Sequence, residues 1–396
     1  MTRLWDKGTS LDARVLKFTA GEDHVLDNRL VRYDIIASIA HAQMLGELGL
    51  LSAPDLAAIQ GALSAIGEDH AQGRWRIELE QEDCQTAIEN LLTERIGEAG
   101  GRLHAGRSRN DQVLAALRLY LRDAAETLRH GALAVADALD ALGSRHADLA
   151  LPGYTHMQQA MPSSVALWAS GFAAELRDDA EGLQAAQRRI GKNPLGSAAG
   201  YGTPNLSVDR ESTRRRLGFT VTQEPVTAVQ LSRGKAEAQL LFEITLLTQD
   251  LSKLAADLLL FYTQEFSYVS LPEAFTTGSS IMPQKRNPDV FELIRGRSAV
   301  AQAALNEVLG VTQKLTSGYH RDLQLIKPPL FRGIDSCLDT LQILPGALEG
   351  VRFRPENVRL DPQIHAAAAA NLLVAKEGIP FREAYRRIAA KLKDTE

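Results

Sequence analysis

Residues 235–271 contain no glycine, and the next proline stands at 272. Inside this run Leu240, Ile244, Leu247, Leu251, Leu254, Leu258 and Phe261 recur at spacings of 4, 3, 4, 3, 4 and 3. That is a heptad seam, the pattern that holds one helical face against other helices. At 1.5 Å per residue the helix would run roughly 50 Å, longer than one compact domain needs. The expectation is an elongated bundle whose outer seams are buried against other subunits.

Three further stripes support that reading. Leu117, Leu121, Leu128, Val135, Leu139 and Leu142 mark one face over about 110–146. Val165, Trp168, Phe172, Leu176, Leu183 and Ile190 mark another over 163–190, with Pro162 expected near its first turn. Val290, Ile294, Ala301, Leu305, Val308 and Leu315 mark a fourth. Such stripes are read as core rather than as cofactor sites. Strand signals are few, the best being VTAVQL at 226–231 beside Pro225. The fold class is therefore all-α, built on a central bundle of long helices. Boundaries are drawn near 106 and 346. Residues 1–106 carry shorter helices broken by glycines, 107–345 hold the bundle, and 346–396 follow LPG at 344–346 as a short helical end.

Composition narrows the class of function. The chain has 396 residues, 45 % apolar and 23 % charged, which suits a globular protein of two or three domains. A net charge of −5 supplies no basic field for nucleic acid. No run approaches the ~18 apolar residues of a membrane span, and the first residues lack the apolar core of a signal peptide. Cys84 and Cys337, the two cysteines, form neither a CxxC pair nor a zinc knuckle and suggest a reducing, cytoplasmic setting. The histidines at 24, 41, 70, 130, 146 and 365 show no metal-binding spacing, so no metal is read. Neither GxxxxGK[ST] nor GxGxxG is present.

Three polar clusters interrupt the helices. Gly-Arg-Ser-Arg-Asn-Asp-Gln at 106–112 sits where a loop enters a helix. Its arginines and the helix-start N–H groups suit a carboxylate, and the plain alternative is an N-cap at Ser108, Asn110 or Asp111. Pro-Gly-Tyr-Thr-His-Met-Gln at 152–158 places Thr155 and His156 in a loop between long helices. A histidine there can move a proton near neutral pH, or simply be exposed. Thr-Thr-Gly-Ser-Ser-Ile-Met-Pro-Gln-Lys-Arg-Asn-Pro at 276–288 sets serines near Lys285 and Asn287. A serine acts as a base only where cations and N–H donors stabilise its alkoxide. The alternative is a flexible surface loop.

Taken together, GRSRNDQ, GYTHMQ and TTGSSIMPQKRNP resemble the three signature regions of the aspartase/fumarase superfamily, and within it the argininosuccinate lyase family. SIAHAQML (38–45), LHAGRSRNDQV (103–113), NPLGSAAGYG (193–202), PDVFELIRG (288–296) and GIPFREAY (378–385) extend the resemblance. It implies a mainly α, three-domain subunit. It also implies a homotetramer whose active sites each draw signature regions from three chains. The implied reaction splits argininosuccinate into arginine and fumarate, without a cofactor. Ser279 resembles the family's catalytic base and His156 its proton donor, with Lys285 and Asn287 holding substrate carboxylate and supporting the serine. Ser108, Arg109, Asn110 and Thr155 would bind the succinyl portion. Tyr319, Gln324 and Lys327 match binding residues for the rest of the substrate. On this reading Lys327→Met impairs turnover and not folding. Departures from the family pattern fall at Gly21, Gln85, 226–233 and 325–326. Two other readings stay open: a related lyase releasing fumarate from another N-substituted aspartate, and a non-catalytic helical protein like the lens δ-crystallins.

Overall fold

A computed structural model describes residues 12–393. Helices dominate, and the strands are short and paired two by two. Five long helices carry the architecture: Arg109–Arg145, Val165–Ile190, Lys235–Tyr262, Asp289–Thr312 and Lys327–Gly350. Most of the predicted stripe residues lie on their buried faces; in the fourth stripe Ile294, Ala301 and Val308 are buried, Val290 and Leu305 are half-buried, and Leu315 lies beyond the helix, which ends at Thr312. Leu117, Leu121, Leu128, Val135, Leu139 and Leu142 are fully buried, as are Leu240, Ile244, Leu247, Leu254 and Leu258. The 240–261 seam is thus covered within the chain itself, contrary to the expectation that other subunits cover it. What stays exposed on that helix is another face, with Phe242 48 % and Leu246 39 % accessible.

The described residues divide into two compact units. One comprises residues up to Arg129 with Glu181–Thr245 and Ala299–Cys337. The other comprises His130–Ala180, Leu246–Ser298 and the residues from Leu338 on. In the first, helices Val31–Glu47, Ala53–Ala71 and Cys84–Ile96 close over Leu45, Ile59, Leu63, Ile66, Ile88 and Leu92. Ser52 starts the second of these by accepting a hydrogen bond from the Asp55 N–H at 3.2 Å.

The second unit holds an antiparallel hairpin, Ala150–Thr155 with Gln158–Ser164. Its aromatic core gathers Trp168, Phe261 and Phe353, with ring centroids 5.7–6.1 Å apart. Trp168 donates Nε1–H to Asp257 at 2.9 Å, satisfying its one polar atom.

Local expectations fail at three points, each for a physical reason. VTAVQL is not a strand: Thr227–Leu231 is a helical turn whose Ala228 N–H bonds the Pro225 carbonyl at 2.8 Å. Burial at Val229 and Gln230 with Leu231 exposed follows a helix, not an alternation. Pro162 lies in the hairpin, paired with Pro152, and the next helix starts at Val165. Pro345 does not end its helix, which runs to Gly350. Losing one N–H there is offset by buried Leu341, Leu344, Ala347 and Leu348 around it.

Candidate active site

The first polar cluster builds a helix start before it builds a site. Ser108 caps the Arg109–Arg145 helix: its Oγ accepts the Asn110 N–H at 3.3 Å, and Asp111 Oδ1 accepts the Ser108 N–H at 2.9 Å. Asp111, the third helical residue, thus supplies the reciprocal half of a capping box, while the Ser108 hydroxyl takes the second N–H of the helix. The other oxygen of buried Asp111 accepts the Gly196 and Ala198 N–H groups at 2.9 and 2.8 Å. One carboxylate therefore ties the glycine-rich 196–202 segment to the helix start. Burial nevertheless raises its pKa to about 6, against the three N–H bonds that lower it.

Beyond this cap opens a cavity of about 370 Å³, a suitable size for a small polar substrate. It is lined by Ser108, Arg109, Asn110, Tyr319, Gln324 and Lys327, so six of the predicted residues come together. Asp23, Asp83, Gln85, His104, Arg233 and Arg321 share the lining and were not anticipated as a group. A signal existed for Asp23. It stands four residues before Asp27, the helical spacing that puts two carboxylates on one face.

The charges around the cavity are closely matched. Arg109 pairs with Asp83 and approaches Glu82 at 3.9 Å. Lys327 is buried, its Nζ 2.8 Å from Asp23 Oδ2 and 2.7 Å from Asp27 Oδ1. Burial raises the Asp23 pKa to about 7 despite the neighbouring ammonium, and pushes Asp27 up as well. Gln324 spends its amide on the Thr19 and Ala20 carbonyls at 3.0 and 2.9 Å, and Arg321 donates to Thr19 O at 2.8 Å. These bonds lay the 19–21 segment against Gln324, and Gly21 turns it with φ +53°. A side chain at 21 would meet the Gln324 amide nitrogen at 3.4 Å.

Gln85, one of the departures from the family pattern, supports a buried polar network. It donates to Asp34 at 3.0 Å, which also accepts from Gln112 at 3.0 Å and from the Ser38 hydroxyl at 3.1 Å. Arg107 bonds Ser38 Oγ at 2.9 Å. His41 beside them is held neutral, its pKa lowered to about 3 by burial and by Arg107. Its Nε2 lies 2.8 Å from the Ala105 carbonyl.

The remaining predicted residues belong to the second unit. Thr155 and His156 are not in a plain loop but at the tip of the hairpin, where Thr155 pairs with Gln158. The two turn residues, His156 and Met157, have φ of 51° and 60°. Two-residue turns with both centres left-handed match the twist of hairpin strands, but glycine and asparagine usually occupy them. A histidine and a methionine held there carry strain of the kind found at functional sites. Both side chains are exposed.

The 276–288 loop is closed at its base by Thr277 and Asn287, which exchange backbone hydrogen bonds at 3.0 and 2.8 Å. Asn287 Nδ2 donates to the Gly278 carbonyl at 3.2 Å. Within the loop, Ser279 Oγ accepts the Ile281 and Met282 N–H groups at 3.3 and 3.2 Å. Those donors stabilise negative charge on the oxygen. Lys285 is exposed on the same loop.

Among the described residues no group of three or more His, Cys, Asp or Glu side chains could hold a metal ion, and no helix is long and apolar enough to cross a membrane.

Comparisons with known proteins agree with this picture. A family model described as Lyase matches residues 10–303. The argininosuccinate lyase of Sorangium cellulosum (strain So ce56) is 46 % identical over 98 % of this chain and 90 % of its own length. That of Stenotrophomonas maltophilia (strain R551-3) is 43 % identical over the same shares. Among solved structures, EDDS lyase in complex with formate is similar at TM-score 0.80 and 25 % identity, covering 96 % of this chain and 76 % of that one. The chain belongs to the argininosuccinate lyase family, within the aspartase/fumarase superfamily.

Proposed function

We infer that this protein is a carbon–nitrogen lyase that eliminates fumarate from argininosuccinate and leaves arginine, the last bond cleavage of arginine formation. The observation that carries the reading is 46 % identity to an argininosuccinate lyase over nearly the whole of both chains. The cavity adds chemical support: Ser108, Arg109 and Asn110 offer a cap, a guanidinium and an amide at one lining, the donor set a dicarboxylate needs.

The proposed chemistry has two steps. Ser279 takes the Cβ proton of the succinyl group, whose neighbouring carboxylate accepts the charge as an aci-carboxylate. Lys285 and Asn287 hold that carboxylate, and Ser108, Arg109, Asn110 and Thr155 bind the rest of the succinyl portion. His156 then supplies the proton as the nitrogen leaves. Tyr319, Gln324 and Lys327 border the amino-acid half. No cofactor takes part.

The working form is proposed to be a cytoplasmic homotetramer with shared sites, and each subunit is proposed to be organised as 1–106, 107–345 and 346–396. In favour of shared sites, Ser279 and His156 belong to one compact unit of the chain while the residues lining the cavity belong to the other. The direct test mixes purified protein with argininosuccinate and follows fumarate absorbance. Fumarate with equal amounts of arginine is the expected result. Faster release from adenylosuccinate or a plain aspartate would move the substrate assignment while leaving the lyase reading in place.

A further inference from the structure

Arg233 stands apart from every other basic group at the cavity. It is 7 % exposed and lines the cavity, yet its Nε and Nη1 have no hydrogen-bond partner. The other basic side chains of the lining are matched. Arg109 has Asp83, Lys327 has Asp23 and Asp27, Arg321 reaches Glu82 and the Thr19 carbonyl, and His104 Nδ1 lies 3.1 Å from Glu89. Glu237, the acid that acts most strongly on Arg233, forms no ion pair with it and leaves its own Oε1 unpartnered.

The position of Arg233 is fixed by its neighbour. Ser232 Oγ accepts from Arg118 at 3.1 Å and from Gln223 at 2.9 Å, and donates to the Val229 carbonyl at 2.8 Å. A buried guanidinium without an acceptor destabilises the free protein, because its desolvation is not repaid by hydrogen bonds. Its fork of donors matches a carboxylate in two-point contact. Tyr319 acts electrostatically on Arg233 and on Arg109, which places the phenol near both.

Resting on the reading above, we propose that Arg233 binds the α-carboxylate of the amino-acid half of the substrate, and so selects substrates carrying that group. Lys327, the cation expected there from the sequence, has its charge balanced by two aspartates and serves instead to hold the wall. Arg233 supplies the free positive charge.

The test compares argininosuccinate with the analogue in which the arginine carboxylate is a carboxamide, on the wild type, Arg233→Met and Arg233→Lys. Wild type should prefer the acid by roughly 10- to 100-fold in kcat/KM, the range of a charge-assisted hydrogen bond in a closed site. Arg233→Met should lose that preference through KM, with kcat on the acid within about threefold and a thermal midpoint no lower than wild type. A structural role would lower the midpoint and leave the preference intact. Arg233→Lys keeps the charge without the fork, and its preference should fall between the two. An undiminished preference in either variant overturns the proposal, and so does a loss confined to kcat. Wild type that releases no fumarate overturns the functional reading and the proposal with it, an outcome visible before any variant is made.

Discussion

Lys327 sets its Nζ 2.7 Å from Asp27 Oδ1, and both side chains are buried, Asp27 fully. With Asp23 at 2.8 Å the three groups form one buried ion cluster joining the start of the Lys327–Gly350 helix to the 23–30 turns. The lysine is therefore structural as well as a border of the cavity. Removing one partner of such a cluster leaves charge buried without compensation, at a cost of about 3–5 kcal/mol. Lys327→Met should lower the denaturation midpoint together with activity. This corrects the expectation that the substitution spares folding. Urea unfolding of the variant beside wild type measures the difference.

The same cluster predicts a pH dependence. The Asp23 pKa lies near 7 in the folded chain, above its ordinary value of 3.8. Between those values the native state binds more protons at this group than the unfolded state does. Its contribution to stability is thus fully present below about pH 4 and lost as pH rises through about 7. Asp23→Asn cannot titrate there. The stability of wild type relative to Asp23→Asn should fall across pH 4–7 and level off above, as read by thermal scans in matched buffers.

Asp111 carries the helix cap and the glycine-rich segment on one carboxylate. Asp111→Ala strands the Ser108, Gly196 and Ala198 N–H groups at 2.8–2.9 Å bonds now missing. At about 1 kcal/mol or more for each buried donor left unpaired, the loss should reach about 3 kcal/mol. Amide exchange at residues 196 and 198 should accelerate in the variant.

Ser279 has little structural work, its Oγ accepting two long bonds from the backbone of its own loop. Ser279→Ala should leave the thermal midpoint within about a degree or two while turnover falls by three or more powers of ten, each tenfold being about 1.4 kcal/mol of barrier. Mixing Ser279→Ala with His156→Asn after reversible dissociation should restore part of the activity, because some sites then receive both intact loops. No recovery after demonstrated subunit exchange would count against shared sites.

Light scattering should give about four times the chain mass of 43.2 kDa. The basis is exposed apolar surface rather than the buried seam. Leu293 and Ile343, 61 % and 41 % exposed, line a groove with Val290 and Ile294 in one unit, and Phe242 and Leu309 flank another groove in the other. Leu293→Asp should lower the mass and the activity together.

The helices were legible because their apolar faces repeat over many turns, as at Leu240–Phe261. Short elements were not. The hairpin hides behind Pro152, Gly153 and Pro162, residues that read as loop punctuation, and its pairing joins segments whose alternation is weak. Six residues at 226–231 could not distinguish strand from helical turn until tertiary burial chose Val229 and Gln230. At the site, motif residues Ser108, Arg109 and Asn110 were visible in one stretch. Asp23 showed no more than its spacing from Asp27, and Arg233 gave no sign, because their meaning lies in partners distant along the chain: Lys327 for one, and none at Nε or Nη1 for the other.

The hairpin that presents His156 has a consequence for how this segment can vary. Successive strand residues point to opposite faces, so inserting one residue before the turn would send the imidazole to the other side of the ribbon. Substitutions along Ala150–Thr155 can be absorbed by repacking, whereas a change of length would have to shift the register irregularity already present between Gly153 and Tyr154. Among natural or engineered variants of this protein, the ruler is the count of residues between Leu151 and His156, and insertions there should be rarer than at any equally exposed turn.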